Sequence, residues 1–91
     1  MYLEINYTKN HITDETFSSL VIGNKDEHTK LINRKFKLLD DDGDLYFEGE
    51  LKCDSETDGS EELFLPLDTI GASYGCTEIQ YTNDNGDYET L

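Results

Sequence analysis

Carboxylates are the most concentrated reactive groups in this sequence. Eleven of them lie within residues 40–62, and leucine and phenylalanine residues are interleaved among them. Carboxylate oxygens bind hard cations such as Ca²⁺, and a surface of them attracts positively charged partners. A disordered acidic tail has no reason to keep apolar residues at such intervals, so this segment is predicted to be folded.

A calcium site is the first chemistry to consider. Asp54, Glu56, Asp58 and Gly59 match positions 1, 3, 5 and 6 of an EF-hand loop, but position 12 falls on Leu65, where a bidentate glutamate is required. We therefore predict no metal and no cofactor. Whether residues 54–62 bind Ca²⁺ stays open at this stage.

Two cysteines and two histidines are the other candidates. Cys53, Cys76, His11 and His28 show neither C-x-x-C nor H-x-x-x-H spacing, so no zinc site is predicted. Free thiols are expected in a cytosolic chain, although the sequence leaves open whether the two cysteines pair. No nucleophile elbow or glycine-rich phosphate loop accompanies the histidines, so the chain is predicted not to be an enzyme.

Charge is segregated along the chain. Residues 1–39 carry six basic and five acidic residues, whereas residues 40–91 carry one basic and 16 acidic residues; the total is −14. Solubility requires a net charge of only ~2–8 in a small domain. Such a charge argues against direct binding to DNA, RNA or an anionic membrane. The first residues also lack the features of a signal peptide, which predicts a cytoplasmic protein.

Alternating and turn-forming residues predict the elements that position these groups. Residues 1–7 alternate like a half-buried strand. Residues 10–28 are ambiguous: Thr13-Asp14-Glu15-Thr16 is typical of a helix start, whereas residues 17–22 suit a strand equally well.

The rest of the chain predicts two hairpins and a short helix. Asp40-Asp41-Asp42-Gly43 and Asn83-Asp84-Asn85-Gly86 each separate two strand-like runs. Pro66 and Gly75 delimit a short helix at about residues 66–73. The prediction is one domain over residues 1–91 of α+β class, with a small antiparallel sheet of about five strands, two hairpins and one or two short helices.

The strand at residues 44–52 is predicted to expose Tyr46, Glu48 and Glu50 on one face, with successive side chains ~6.6 Å apart. Carboxylates at such spacing can imitate the phosphates of a nucleic-acid backbone, so the predicted partner is the basic surface of a nucleic-acid-binding protein. The residues predicted to bind it are Asp40, Asp41, Asp42, Asp44, Tyr46, Glu48, Glu50, Asp54, Glu56 and Asp58.

Residues 38–49 (LLDDDGDLYFEG), 64–68 (FLPLD) and 75–81 (GCTEIQY) resemble small acidic proteins of mobile elements, such as phages and plasmids. In size, charge and lack of a catalytic motif, the chain also resembles their anti-restriction and anti-CRISPR inhibitors. That resemblance implies an inhibitor that blocks the access of a host defence nuclease to DNA. It carries over no individual functional residue.

The predicted function is thus a non-enzymatic inhibitor in the host cytoplasm that acts by acidic mimicry of the DNA backbone. The alternative is a protein-interaction module that binds through exposed Tyr and Leu, with the acids serving solubility. The sequence leaves the oligomeric state open between monomer and dimer.

Overall fold

The computed structural model describes all 91 residues, Met1–Leu91. Six strands form one sheet in the order β2-β1-β4-β3-β5-β6, and every neighbouring pair is antiparallel. The strands are β1 (Tyr2–Asn10), β2 (Leu20–Gly23), β3 (Ile32–Leu39), β4 (Leu45–Cys53), β5 (Glu78–Thr82) and β6 (Tyr88–Thr90). The coarse prediction of a small antiparallel sheet with helical content is confirmed, with six strands rather than about five.

The additional strand is β2, in the segment that the sequence left ambiguous. No helix forms after Thr13: residues 11–19 are irregular, and Leu20–Gly23 pairs with β1. Val21 and Ile22 are β-branched and favour a strand, but such a short run is not decisive by itself. Pairing with β1, a tertiary contact, gives the segment its strand conformation.

Both predicted hairpins form. Residues 40–44 join β3 to β4, and residues 83–87 join β5 to β6. Between β4 and β5 the chain crosses one face of the sheet as a short bent helical segment, with a 3-10 turn at Glu61–Phe64 and a π-helical turn at Leu67–Gly71. No helix in the structure is long and apolar enough to cross a membrane.

The core lies between this helical segment and the sheet. Its buried members are Leu3, Ile5, Phe36, Leu38, Phe47, Leu51, Cys53, Leu63, Cys76, Ile79 and Tyr81. Two hydrogen bonds attach the crossing segment to the sheet: the Tyr81 hydroxyl donates to the Leu63 carbonyl oxygen at 2.6 Å, and the Tyr7 hydroxyl to that of Pro66 at 3.5 Å. The opposite face of the sheet, here called the outer face, has no covering layer.

Phe17 closes the core beside the irregular segment. Its ring lies 5.5 Å from the ring centroids of both Tyr7 and Phe47, in edge-on geometry that suits aromatic pairs. The Tyr74 hydroxyl donates to Glu15 at 2.8 Å and holds the same segment from the other side. Residues 11–19 therefore cover one end of the core without forming a helix.

Candidate partner-binding surface

The β3–β4 turn, residues 40–44, concentrates four aspartates on a constrained backbone. Asp40 Oδ1 accepts hydrogen bonds from the amides of Asp42 (3.0 Å) and Asp44 (2.8 Å). Main-chain bonds join Gly43 N to Asp40 O and Asp40 N to Asp44 O, each at 3.1 Å. Gly43 adopts φ +82°, a conformation that side-chain-bearing residues rarely accept. Local hydrogen bonds thus hold the turn.

The turn keeps its carboxylates close together and lowers the pKa of Asp40. One oxygen each from Asp40, Asp42 and Asp44 lies within 4.8 Å of the others, and Asp41, Asp42 and Asp44 are exposed. The hydrogen bond from the Asp44 amide, aided by others, lowers the pKa of Asp40 below its ordinary value. Three such oxygens are half or fewer of the ligands that Ca²⁺ takes. The turn is a dense patch of fixed negative charge.

Tyr46 differs from the sequence prediction. A bulge between Leu38 and Leu39 interrupts the alternation at the start of β4, and Tyr46 lies half-buried against the core instead of among exposed acids. Its hydrogen bond with Asp40 raises the pKa of the Tyr46 hydroxyl. Tyr46 therefore connects the β3–β4 turn to the core.

Glu48 and Glu50 lie on the outer face, but lysines flank them. Glu48 is in register with Lys9 on β1 and Lys37 on β3. Opposite charges in facing positions of a sheet attract one another, while like charges repel. Glu48 Oε2 also lies 2.8 Å from His11 Nε2. The acidic row predicted along β4 is therefore interleaved with positive charge.

Glu50 has a similar environment, with Lys35 in register on β3 and Asn6 on β1. Among the strand residues of the outer face, carboxylates and ammonium groups are equal in number. The carboxylates are Glu4, Glu48, Glu50 and Glu78, and the lysines are Lys9, Lys35, Lys37 and Lys52. The net charge of −14 thus resides in the turns, loops, helical segment and remaining positions rather than on this face.

The acids after β4 have separate structural roles. Asp54 Oδ1 accepts hydrogen bonds from the Thr57 hydroxyl (2.6 Å) and amide (3.0 Å), which lower the pKa of Asp54. Asp58 forms a bidentate pair with Arg34, at 2.9 Å to Nε and 3.1 Å to Nη2. Glu56 is exposed, with 83% of its side-chain surface accessible, and its Oε2 lies 4.0 Å from the N-terminal ammonium. Of the three, Glu56 is the most exposed, while Asp54 and Asp58 are held by hydrogen bonds within the fold.

The candidate residues form separate groups. Residues 40–44 precede β4 and residues 54–58 follow it, so the nine-residue strand separates them by about 27 Å at 3.3–3.4 Å per residue. Glu48 and Glu50 lie between the two groups, on the outer face. A single partner that contacted all of them would have to span the length of the sheet.

Neither cysteine joins a bridge. Both thiols are free and buried, and burial raises the pKa of each to about 11. Cys53 is in register with Ile32, whereas the residue after Cys76 bonds to Leu39, seven residues farther along β3, or roughly 23 Å. A disulfide requires Cα atoms within about 7 Å, so this fold separates the two cysteines too widely to pair.

The two hairpin turns correspond residue by residue, a relationship absent from the sequence-based predictions. In the β5–β6 turn, residues 83–87, Asn83 Oδ1 accepts from the amides of Asn85 (2.9 Å) and Asp87 (3.0 Å), as Asp40 does in the first turn. Gly86 has φ +85° and occupies the place of Gly43. The signal was present as D-D-D-G-D and N-D-N-G-D. The β5–β6 turn thus adds two further exposed carboxylates, Asp84 and Asp87.

No model of a known protein family, no curated protein and no solved structure matches this chain.

Proposed function

We propose that this protein is a non-enzymatic inhibitor of a host defence protein that binds nucleic acid, such as a restriction enzyme or a CRISPR complex. In this proposal it acts in the cytoplasm of the host cell and is encoded by a phage or plasmid, as its resemblance to such proteins implies. Its carboxylates occupy the basic surface with which the target grips DNA phosphates. Association is then steered by charge and weakened by salt.

The observation that carries the proposal is the β3–β4 turn. It places four aspartates in five residues, and its hydrogen bonds are formed without any partner. A preformed patch loses little conformational entropy on binding, which favours affinity. A basic site that evolved to bind phosphates would attract a patch with this density of negative charge.

The proposed contact is centred on Asp40, Asp41, Asp42 and Asp44. Glu48 and Glu50 contribute less, because lysines in register with them offset their field. Asp58 contributes little for the same reason, since Arg34 pairs with it. Glu56 and the β5–β6 turn are secondary contacts for a target large enough to reach them.

The second turn suggests the sharpest test. The double substitution Asp40→Asn and Asp42→Asn converts D-D-D-G-D into N-D-N-G-D, the sequence that already forms the same turn at residues 83–87. It removes two charges while the turn keeps an acceptor at position 40. The matched control is Glu48→Gln with Glu50→Gln, which removes two charges from the outer face.

The measurement uses cells that carry a restriction or CRISPR system and an incoming plasmid that the system attacks. Expression of the protein is expected to raise transformation efficiency, and the turn variant to lose most of that effect while the control keeps it. In parallel, immobilised protein should capture a target that duplex DNA competes off and that elutes in a salt gradient. Equal activity of the turn variant and the wild type would contradict the proposed contact.

The alternative, an interaction module that binds through exposed apolar side chains, predicts capture that survives high salt and ignores DNA. All six tyrosines are buried or half-buried, so such a module would use other residues. The large apolar residues with exposed surfaces are Met1, Ile12, Leu20, Val21, Phe64 and Leu91. The salt response of the captured partner separates the two functions.

A further inference from the structure

β2 forms one free edge of the sheet. The amide of Asn24 bonds to the Met1 carbonyl at 3.2 Å, so the bonded pairs of the β1–β2 ladder continue at every second residue, at Ile22 and Leu20. The main-chain N–H and C=O of Val21 consequently point away from β1, toward the open edge. This edge offers an unpaired template for another strand.

β2 is also the one strand of the six without a charged side chain. Natural sheets protect free edges with charges, prolines or bulges, and the other edge, β6, contains Glu89. On this free edge, no charged side chain within the strand opposes pairing with another strand.

Apolar surface accompanies the free edge. Of the large hydrophobic residues with exposed side chains, Leu20 (38%) and Val21 (52%) belong to β2, and Met1 (49%), whose terminal ammonium pairs with Asp54 at 3.5 Å, lies beside the end of the strand. Edge hydrogen-bonding groups and exposed apolar side chains together make an interaction surface.

We propose that β2 pairs with β2 of a second copy, antiparallel about a twofold axis near Val21, to give a continuous twelve-stranded sheet. A twofold contact places each patch against itself, so any charge in the patch would face its own copy. Repulsion between chains of charge −14 excludes most of the surface from such contact. The uncharged β2 edge meets this requirement, whereas a basic target would find no carboxylate on it to bind.

The dimer is expected to be weak and to strengthen with salt. A four-residue strand from each copy is a small contact, below the ~1,200 Å² of standard stable interfaces, so the dimer should depend on protein concentration. Added salt screens the repulsion between the copies. Salt therefore acts on self-association with the opposite sign to its effect on the proposed target binding, and the two interactions can fail independently.

The test is sedimentation equilibrium of the purified chain over a range of concentrations, at low and high salt. Val21→Lys opposes two like charges at the twofold axis and should weaken the dimer about tenfold. Val21→Pro removes a single amide donor that points to the free edge, so it leaves the β1–β2 ladder intact. Thr90→Lys is the matched control, because Thr90 lies exposed on the opposite edge strand and the charge change is identical.

The proposal expects a mass that rises from 10.4 kDa toward twice that value, both Val21 variants shifted to monomer, and Thr90→Lys unchanged. The Val21 amide should also exchange its hydrogen more slowly as the dimer fills. A single 10.4 kDa species under all conditions, or a dimer that persists in both Val21 variants, would overturn it.

Discussion

Asp40 and Asn83 occupy equivalent positions in two five-residue hairpin turns and accept the same pair of main-chain hydrogen bonds. Each side-chain oxygen takes the amides two and four residues later, at 2.8–3.0 Å. In each turn the residue three positions later is a glycine with φ above +80°. The two turns therefore share one side-chain acceptor, one glycine and the same pair of main-chain hydrogen bonds, and the acceptor is a carboxylate in one and an amide in the other.

This equivalence predicts how the first turn responds to substitution. Asp40→Asn should leave the urea midpoint of unfolding nearly unchanged, because an amide oxygen accepts the same bonds. Asp40→Ala should lower the midpoint, because the amides of Asp42 and Asp44 lose their acceptor. Equal midpoints for the two variants would mean that the side chain does not hold the turn.

The pH response of the same residue follows from its lowered pKa. A carboxyl whose pKa is lower in the folded state contributes stability above its unfolded pKa and loses it as the pH falls through the folded value. As the pH falls below about 4, the ordinary range of aspartate, the urea midpoint of the wild type should therefore fall relative to that of Asp40→Asn. Asn83→Asp, which adds an acid to the second turn, should acquire a similar dependence.

Gly49 is predicted to reject a side chain. It faces Phe36 across the β3–β4 ladder, and a Cβ at this position would lie 2.3 Å from the Phe36 ring and 2.5 Å from the Asn6 carbonyl oxygen. Gly49→Ala should lower the free energy of unfolding by about 1–3 kcal/mol, the usual range for overpacking. Denaturant titration measures it.

The contact with Phe36 can be separated from the backbone contact. Adding Phe36→Leu to Gly49→Ala removes the ring that the new methyl group would strike. The double variant should therefore lose less free energy of unfolding than the sum of the losses of the two single variants. Strict additivity of the two losses would instead assign the effect of Gly49→Ala to the Asn6 carbonyl alone.

The two thiols should be unreactive in the folded protein. Burial raises the pKa of Cys53 and of Cys76 to about 11, so at pH 8 both are neutral as well as covered. An aromatic disulfide reagent should label neither at a measurable rate until urea unfolds the chain, and then both. Rapid labelling of one thiol under native conditions would show that its end of the core opens readily.

Tyr81 should make the protein sensitive to alkali. Burial raises its pKa well above 10, and its hydroxyl donates to the Leu63 carbonyl. A raised folded pKa gives stability that is complete below the unfolded value, about 10, and is lost as the pH rises toward the folded value. Tyr81→Phe should lose about 1–2 kcal/mol at pH 7, because the Leu63 oxygen loses its donor, yet show a shallower decline above pH 10.

Urea titrations of both proteins at several pH values measure this prediction. Tyr88→Phe is the comparison variant: Tyr88 lies half-exposed on the edge strand β6, and although burial also raises its pKa, its substitution should alter the alkaline decline less than that of Tyr81. Parallel alkaline declines for wild type and Tyr81→Phe would mean that other groups control the alkaline response.

Local patterns in the sequence predicted the parts of the fold that local interactions determine. Both hairpins follow from glycine-containing turns between alternating runs, and the helical segment follows from Pro66 and Gly75. β2 could not be predicted with the same means, because its conformation depends on β1 across the chain. The face of Tyr46 was missed because a bulge, which depends on the partner strand, reverses the alternation there.

The charge pattern of the candidate site shows the same limit. Along the sequence the basic residues precede the acidic ones, so β4 appeared as an uncompensated acidic row. In the sheet, β4 lies between β1 and β3, and both neighbours come from the basic part of the chain. Lys9 and Lys37 therefore flank Glu48, an arrangement that strand order determines and spacing along one strand cannot show.

The placement of the net charge in turns has a consequence for how such a protein can evolve. The second and third positions of each turn, such as Asp41 and Asn85, make no side-chain hydrogen bond that the turn requires. Substitutions there should change the surface charge of the turn without a large loss of stability. The charge of these turns can thus vary while the sheet that carries them stays constant.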